Sequence, residues 1–130
     1  MDRYLPEFLP RAAQAAAQDA GQVLTISIGR KFQPLELARI SYMERCGHRT
    51  TIVMADGQTY ATREKLGELQ ERIHSDCFFR CHVSFLVNLS HAAALEDQSF
   101  RMDSGDLITI SRPNEKEARE AFFRHLREQI

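Results

Sequence analysis

The stretch Phe79-Arg80-Cys81-His82-Val83-Ser84-Phe85-Leu86-Val87-Asn88-Leu89 constrains this chain most. Apolar residues take every second position: Phe79, Cys81, Val83, Phe85, Val87 and Leu89. Strict alternation is the pattern of a half-buried strand, so the stretch is predicted as one continuous strand with these positions on a core. The other register holds Arg80, His82, Ser84, Leu86 and Asn88 and makes a mainly polar face. On a strand, Cys81 and His82 point to opposite faces and cannot act as nucleophile and base. No further His, Cys or carboxylate stands nearby at ligand spacing, so no metal is expected. Two readings remain. One is a solvated strand face, which composition alone favours. The other is a recognition surface built from donors that meet phosphates and base edges.

Around this stretch the chain is a succession of short alternating segments and turns. Strands are predicted over Val23 to Ile28, over Phe32 to Leu37 with Pro34 marking an edge, and from Ile40. Arg45 to Arg49 reads as a basic loop, followed by a strand from Thr50 to Met54. Asp56-Gly57 is a hairpin turn, after which Thr59 to Ala61 return. Thr62 can cap a helix to about His74, with Leu66, Leu69 and Ile73 on one face. Ser90 to Glu96 is another strand. Asp97-Gln98 and Ser104-Gly105 are turns around Phe100 and Met102, and Leu107 to Ile110 closes the series. Pro113 opens a terminal helix whose apolar stripe is Ala118, Ala121, Phe122, Leu126 and Ile130. Many short strands, one internal helix and no β-α-β alternation predict a mostly β fold. Residues 1–21, Ala- and Gln-rich and stopped at Gly21, are expected to form a helical lead-in, and residues 22–130 the domain.

The motif Arg80-Cys81-His82-x-Ser84-Phe85-Leu86-Val87-Asn88 resembles the signature of the LytTR DNA-binding domain, the output module of LytR/AgrA-type bacterial response regulators. Further matches follow in order: Ile40-Ser41-Tyr42-Met43-Glu44, the strand pair around Asp56-Gly57, Leu66-Gly67-Glu68-Leu69, and Gly105-Asp106-Leu107-Ile108-Thr109-Ile110-Ser111-Arg112. Collinear motifs at fitting intervals are specific where one alone is weak. The resemblance covers about residues 22 to 128 and implies an elongated, multi-sheet β domain that enters successive major grooves of DNA with loops. It implies that His48 on the 45–49 loop meets a base, with Arg45 and Arg49 beside it, and that Arg112 reads a base edge. Arg80 and His82 belong to the signature and serve either DNA or a loop, while Asn88 fixes a turn. Arg30, Lys31 and Arg39 are candidate phosphate clamps. Cys81 stands where some members carry an oxidisable Cys, although a small buried hydrophobe is the plainer role. The sequence departs from the family at Val83, where Arg, Lys or Asn is usual. The implied partner is double-stranded DNA with direct-repeat or palindromic promoter sites, bound as a homodimer. An upstream receiver domain or a sensor or inhibitor protein is a further implied partner, although no receiver fits before Gly21.

Charge is the argument on the other side. The 130 residues carry 17 Lys and Arg against 18 Asp and Glu, a formal net charge of −1. A neutral chain attracts phosphate weakly, so DNA binding requires a local cluster of cations. The alternative is a protein-interaction or dimerisation module on the same scaffold. No apolar run reaches the roughly 20 residues that span a bilayer, and the N-terminus lacks a signal-peptide pattern, so a cytoplasmic location is expected. Three cysteines without zinc spacing are expected as thiols. No enzyme motif, cofactor or small-molecule substrate is implied.

Overall fold

A computed structural model of the protein describes residues 21–128. The expected helical lead-in lies outside them. Within them the turn residues divide the chain largely where alternation predicts. β1 (Val23–Ile28) and β2 (Lys31–Glu36) form a two-stranded antiparallel hairpin. β3 (Ile40–Cys46), β4 (Arg49–Met54), β5 (Thr59–Thr62), β6 (Phe78–His82) and β7 (Phe85–Asn88) form a sheet in the order β5-β4-β3-β7-β6. β8 (Ala92–Glu96), β9 (Ser99–Met102) and β10 (Leu107–Thr109) form a third, antiparallel sheet. Helix α1 (Leu66–Glu71) precedes β6, and α2 (Glu115–Glu128) follows β10.

The five-stranded sheet is buried on both faces. On one, Ile40, Met43, Ile52 and Leu86 pack against Leu24, Ile26 and Leu35 of the β1–β2 hairpin and Leu66 and Leu69 of α1. On the other, Tyr42, Val87 and Cys81 pack against Phe100, Met102 and Ile108 of the third sheet and Ala118, Ala121 and Phe122 of α2. The Tyr42 hydroxyl donates to Asp106 Oδ2 at 2.9 Å and ties the third sheet to β3. Burial and this acceptor push the Tyr42 pKa up to about 12. The fold is therefore mostly β with one short internal helix and a C-terminal helix, as the alternation predicts.

Three expectations need correction. Residues 79–89 are not one strand: the chain folds back at Val83-Ser84, pairing His82 with Phe85. A bulge between Arg80 and His82 adds a residue at Cys81. The 45–49 loop shrinks to Gly47-His48, because β3 and β4 remain paired out to Cys46 and Arg49. Gly47 has φ +60°, the left-handed conformation a tight primed hairpin turn demands and glycine adopts without strain. The helix predicted from Thr62 to His74 begins only at Leu66, because Thr62 still pairs with Thr50 and its hydroxyl donates to the Ser27 carbonyl at 2.6 Å. Asn88 does fix a turn. It is fully buried, donates to the Ile40 carbonyl at 2.8 Å and accepts the Ser90 N–H at 3.0 Å.

Candidate nucleic-acid interface

Antiparallel pairing decides which turns share an end of the sheet. The β3–β4 turn (Gly47-His48) and the β6–β7 turn (Val83-Ser84) lie at one end, since Glu44 pairs with Phe85 and the Arg45 N–H donates to the Ser84 carbonyl at 2.8 Å. The end of β5 joins them through the Thr50–Thr62 pair, carrying Arg63. The β1–β2 turn (Gly29-Arg30) reaches the same end through Ser27, which bonds Thr62 and Glu64. After β10, the Ser111 N–H donates to the Cys81 carbonyl at 2.9 Å and sets Arg112 beside the β6–β7 turn. The β8–β9 turn, with Asp97, meets this segment through the Ile110 N–H on the Gln98 carbonyl.

The side chains at this end divide into two groups. His48, Arg49, Arg63 and Arg112 are exposed. Among the described residues, none of the four has a side-chain hydrogen bond or ion pair, and an Arg112 pairing with Glu115 or Glu117 is not formed. His48, Arg49 and Arg63, with Gly29 and Cys46, line an open groove of about 1150 Å³. Arg30 and Lys31 stand exposed on the adjoining turn. Arg63 is missing from the sequence-based expectation, because it sits inside what reads as a helix start. Arg39 is not part of the cluster: it approaches Glu36 and Asp56 at 4.0 Å at the opposite end of the sheet.

The second group holds the turns in shape. Arg80 donates from Nε to the His82 carbonyl at 3.0 Å, and from its terminal nitrogens to the Val83 carbonyl at 2.7 Å and to Gln70 Oε1 at 3.0 Å. His82 Nδ1 accepts the Ser84 N–H at 3.0 Å, and its ring packs edge-on against Phe85 with centroids 5.6 Å apart. Val83-Ser84 lacks the Gly, Asn or Asp that ordinarily makes a two-residue turn. Arg80 and His82 supply the missing stabilisation, so their directions are structural. Arg45 likewise points inward, donating to Thr50 Oγ1 at 2.9 Å and to the carbonyls of Arg63 at 3.2 Å and Glu64 at 3.1 Å. Glu64 does not cancel the exposed cations. Its carboxylate accepts the Ser27 N–H at 2.9 Å and pairs with Arg72 at 2.8 Å. Desolvation alone would raise its pKa, but the hydrogen bonds from Arg72 and Ser27, with the Arg72 charge, carry it below the usual carboxylate value.

Cys81 is fully buried, and its Sγ lies 3.5 Å from the Thr109 carbonyl. Burial pushes its pKa up to about 12, against a smaller opposing effect of Arg80. Oxidation requires an accessible thiolate, and these surroundings offer neither access nor charge. Cys46, in contrast, is exposed in the groove. Among the described residues, no group of three or more metal-ligating side chains occurs and no helix is long and apolar enough to cross a membrane.

Both the sequence and the fold are similar to those of known proteins. The sequence matches the family model for the LytTr DNA-binding domain over residues 30–123. It is similar to the CO-responsive transcriptional regulator RcoM of Rhodospirillum rubrum, with 30% identity over 93 residues, 67% of this chain and 39% of that protein. The chain thus spans about two-fifths of this relative's length. Its fold is similar to the solved LytTr DNA-binding domain of a Bacillus cereus protein described as a methyl-accepting/DNA response regulator. That match has a TM-score of 0.64 and 25% identity and covers 76% of this chain and 94% of that one. A β domain with this signature, this strand arrangement and a family match over most of its length belongs to the LytTR family of DNA-binding domains.

Proposed function

We propose that residues 22–130 bind double-stranded DNA in a sequence-specific manner as the output domain of a bacterial transcription regulator, with the turns at one end of the five-stranded sheet entering successive major grooves. The observation that carries this reading is the polarity of the sheet's two ends. The 29–30, 47–48 and 83–84 turns and the 111–113 segment contain no carboxylate and present Arg30, His48 and Arg112, with Lys31, Arg49 and Arg63 beside them, against Asp97 of the adjoining β8–β9 turn. The turns at the other end contain Asp56, Asp103 and Asp106. A chain with no net positive charge thereby offers phosphate a local cationic surface, which DNA binding requires.

Within this reading His48 and Arg112 meet base edges, Arg49 and Arg63 meet phosphates, and Arg45, Arg80 and His82 position the turns that carry them. The named relatives, a CO-responsive transcriptional regulator and a DNA response regulator, support an output role coupled to a sensing or receiver unit elsewhere in a longer protein. Two copies on tandem or inverted repeats would double the contact surface. The test is selection of bound duplexes from random-sequence DNA, followed by affinity measurements over a salt series. Enrichment of a repeated half-site, bound at least 100-fold more tightly than scrambled DNA, is expected. Absence of enrichment, together with no binding at low salt, refutes the proposal and favours a protein-interaction role.

A further inference from the structure

We infer that the open groove beside the 47–49 turn seats one sugar-phosphate strand of DNA, with Arg30 and Lys31 clamping its outer side. The inference rests on the DNA-binding reading above and adds to it a phosphate clamp and the flank of the site on which that clamp lies. The sheet order β5-β4-β3-β7-β6 puts β4 and β5 on the side of β3 away from the β6–β7 turn. The groove opens on that side: Arg49, Thr51 and Arg63 line it from β4 and the end of β5, and Ser27 and Gly29 line it from the β1–β2 hairpin. No carboxylate lines it among the described residues. Glu44, the cross-strand partner of Thr51, stays outside the lining, and Glu64 is taken up by Arg72 and the Ser27 N–H. Arg30 and Lys31 stand exposed directly after Gly29, with no side-chain hydrogen bond or ion pair among the described residues. Arg49 and Arg63 are equally unengaged, so a phosphate meets these cations without breaking an existing pair.

The hairpin is locked at its turn end, which matters because two strands alone are marginally stable. The Ser27 carbonyl accepts from the Thr62 hydroxyl at 2.6 Å, and the Ser27 N–H donates to Glu64 Oε2 at 2.9 Å. Arg72 donates to Glu64 Oε1 at 2.8 Å and to the Thr25 carbonyl at 2.7 Å. Arg63 lies between Thr62 and Glu64, so one network fixes its backbone against the base of the 29–31 turn. The hairpin packs on a face of the five-stranded sheet, and stacked sheets lie about 10 Å apart. That spacing cannot admit a whole duplex, whose major groove alone is about 12 Å wide, but it admits one strand. With His48 in one major groove and Arg112 in the next, the 83–84 turn spans the minor groove between them. The groove beside 47–49 then meets the strand that borders the His48 major groove on its outer side. At the other end of this row the turn next to the Arg112 segment carries Asp97, which repels phosphate.

Removing single phosphate charges tests the assignment. The probe is a duplex selected by the wild-type protein from random DNA, remade with one uncharged methylphosphonate at successive positions along each strand. Wild type and the double variant Arg30→Ala/Lys31→Ala are titrated with these duplexes and with scrambled DNA over a salt series. Both side chains are exposed, so Tm should not change. The variant is expected to lower the slope of log affinity against log salt by about 1.8, since each lost contact counts about 0.9. Its affinity for selected and scrambled DNA should fall by the same factor, within about twofold. In wild type, methylphosphonates outside the base pairs at which His48→Ala loses its preference should each lower the slope by about 0.9. At least one of those positions should have no effect on the double variant, whereas positions on the Arg112 flank should act on both proteins alike. An unchanged salt slope in the variant, or a lower slope with no methylphosphonate position that separates the two proteins, overturns the clamp while the DNA-binding reading stands. Separating positions found only on the Arg112 flank overturn its placement. A protein that selects no DNA at all removes both readings.

Discussion

Arg80→Ala separates a positioning residue from a phosphate contact. The guanidinium makes three internal hydrogen bonds, two of them to carbonyls of the β6–β7 hairpin. Hydrogen bonds from a charged donor are worth roughly 1.5–3 kcal/mol each when buried. Arg80 is half-buried and water can replace part of each bond, so about 1 kcal/mol for each of the two turn carbonyls is the appropriate scale, or about 2 kcal/mol in all. For a domain of this size, that lowers Tm by about 8 °C. Differential scanning calorimetry reads the stability, and fluorescence anisotropy with labelled DNA over a salt series reads the interface. The expected outcome is the fall in Tm, weaker DNA binding because the turn loses its shape, and an unchanged slope of log affinity against log salt. A phosphate contact behaves the other way: the slope falls by about 0.9 while stability holds. An unchanged Tm with a reduced slope would refute the structural assignment of Arg80.

Three further perturbations follow from the same geometry. Asn88→Ala strands the buried Ile40 carbonyl and Ser90 N–H, and should cost about 3 kcal/mol in chemical denaturation; a loss under about 1 kcal/mol contradicts the role given to Asn88. Arg112→Ala removes an exposed guanidinium with no partner among the described residues, so its stability should stay within about 0.5 kcal/mol of wild type. Its affinity should fall by roughly 1–3 kcal/mol for the selected site but little for scrambled DNA, whereas equal losses on both mark a phosphate contact. Brief alkylation of the native protein, read by mass spectrometry, should modify Cys46 and spare Cys81, whose thiol burial holds in the protonated form. A bulky maleimide on Cys46 should then weaken DNA binding, since that residue lines the groove with His48 and Arg49, and peroxide should act on binding no differently in Cys81→Ser than in wild type.

The fold was legible where periodicity and turn chemistry agree. β1 and β2, the Asp56-Gly57 hairpin, the β8–β9–β10 meander and the stripe of α2 all carry both signals. The 79–89 stretch shows why alternation alone misleads. A hairpin with a two-residue turn puts His82 and Phe85 on one face, which breaks simple alternation. The bulge at Cys81 adds one residue and restores it, so Phe79, Cys81, Phe85 and Val87 all reach the same core. Only Val83 departs from the pattern, and a valine is no turn signal. Arg80 and His82 hold the turn from outside it, through contacts that become visible only once β6 and β7 are paired. The exposure of His48 and Arg112 at one end of the sheet was expected through resemblance, not physics, because exposure leaves no periodic trace. Arg63 escaped because its place at the groove depends on β5 extending to Thr62.

The central claim is that DNA meets one end of the five-stranded sheet. Titrating the selected duplex into ¹⁵N-labelled protein and following amide chemical shifts tests it most directly. The account predicts perturbations concentrated at residues 29–31, 47–49, 83–84 and 111–114, with the 56–58 and 103–106 turns unmoved. Shifts centred on those acidic turns, or on the outer face of α2, would contradict it.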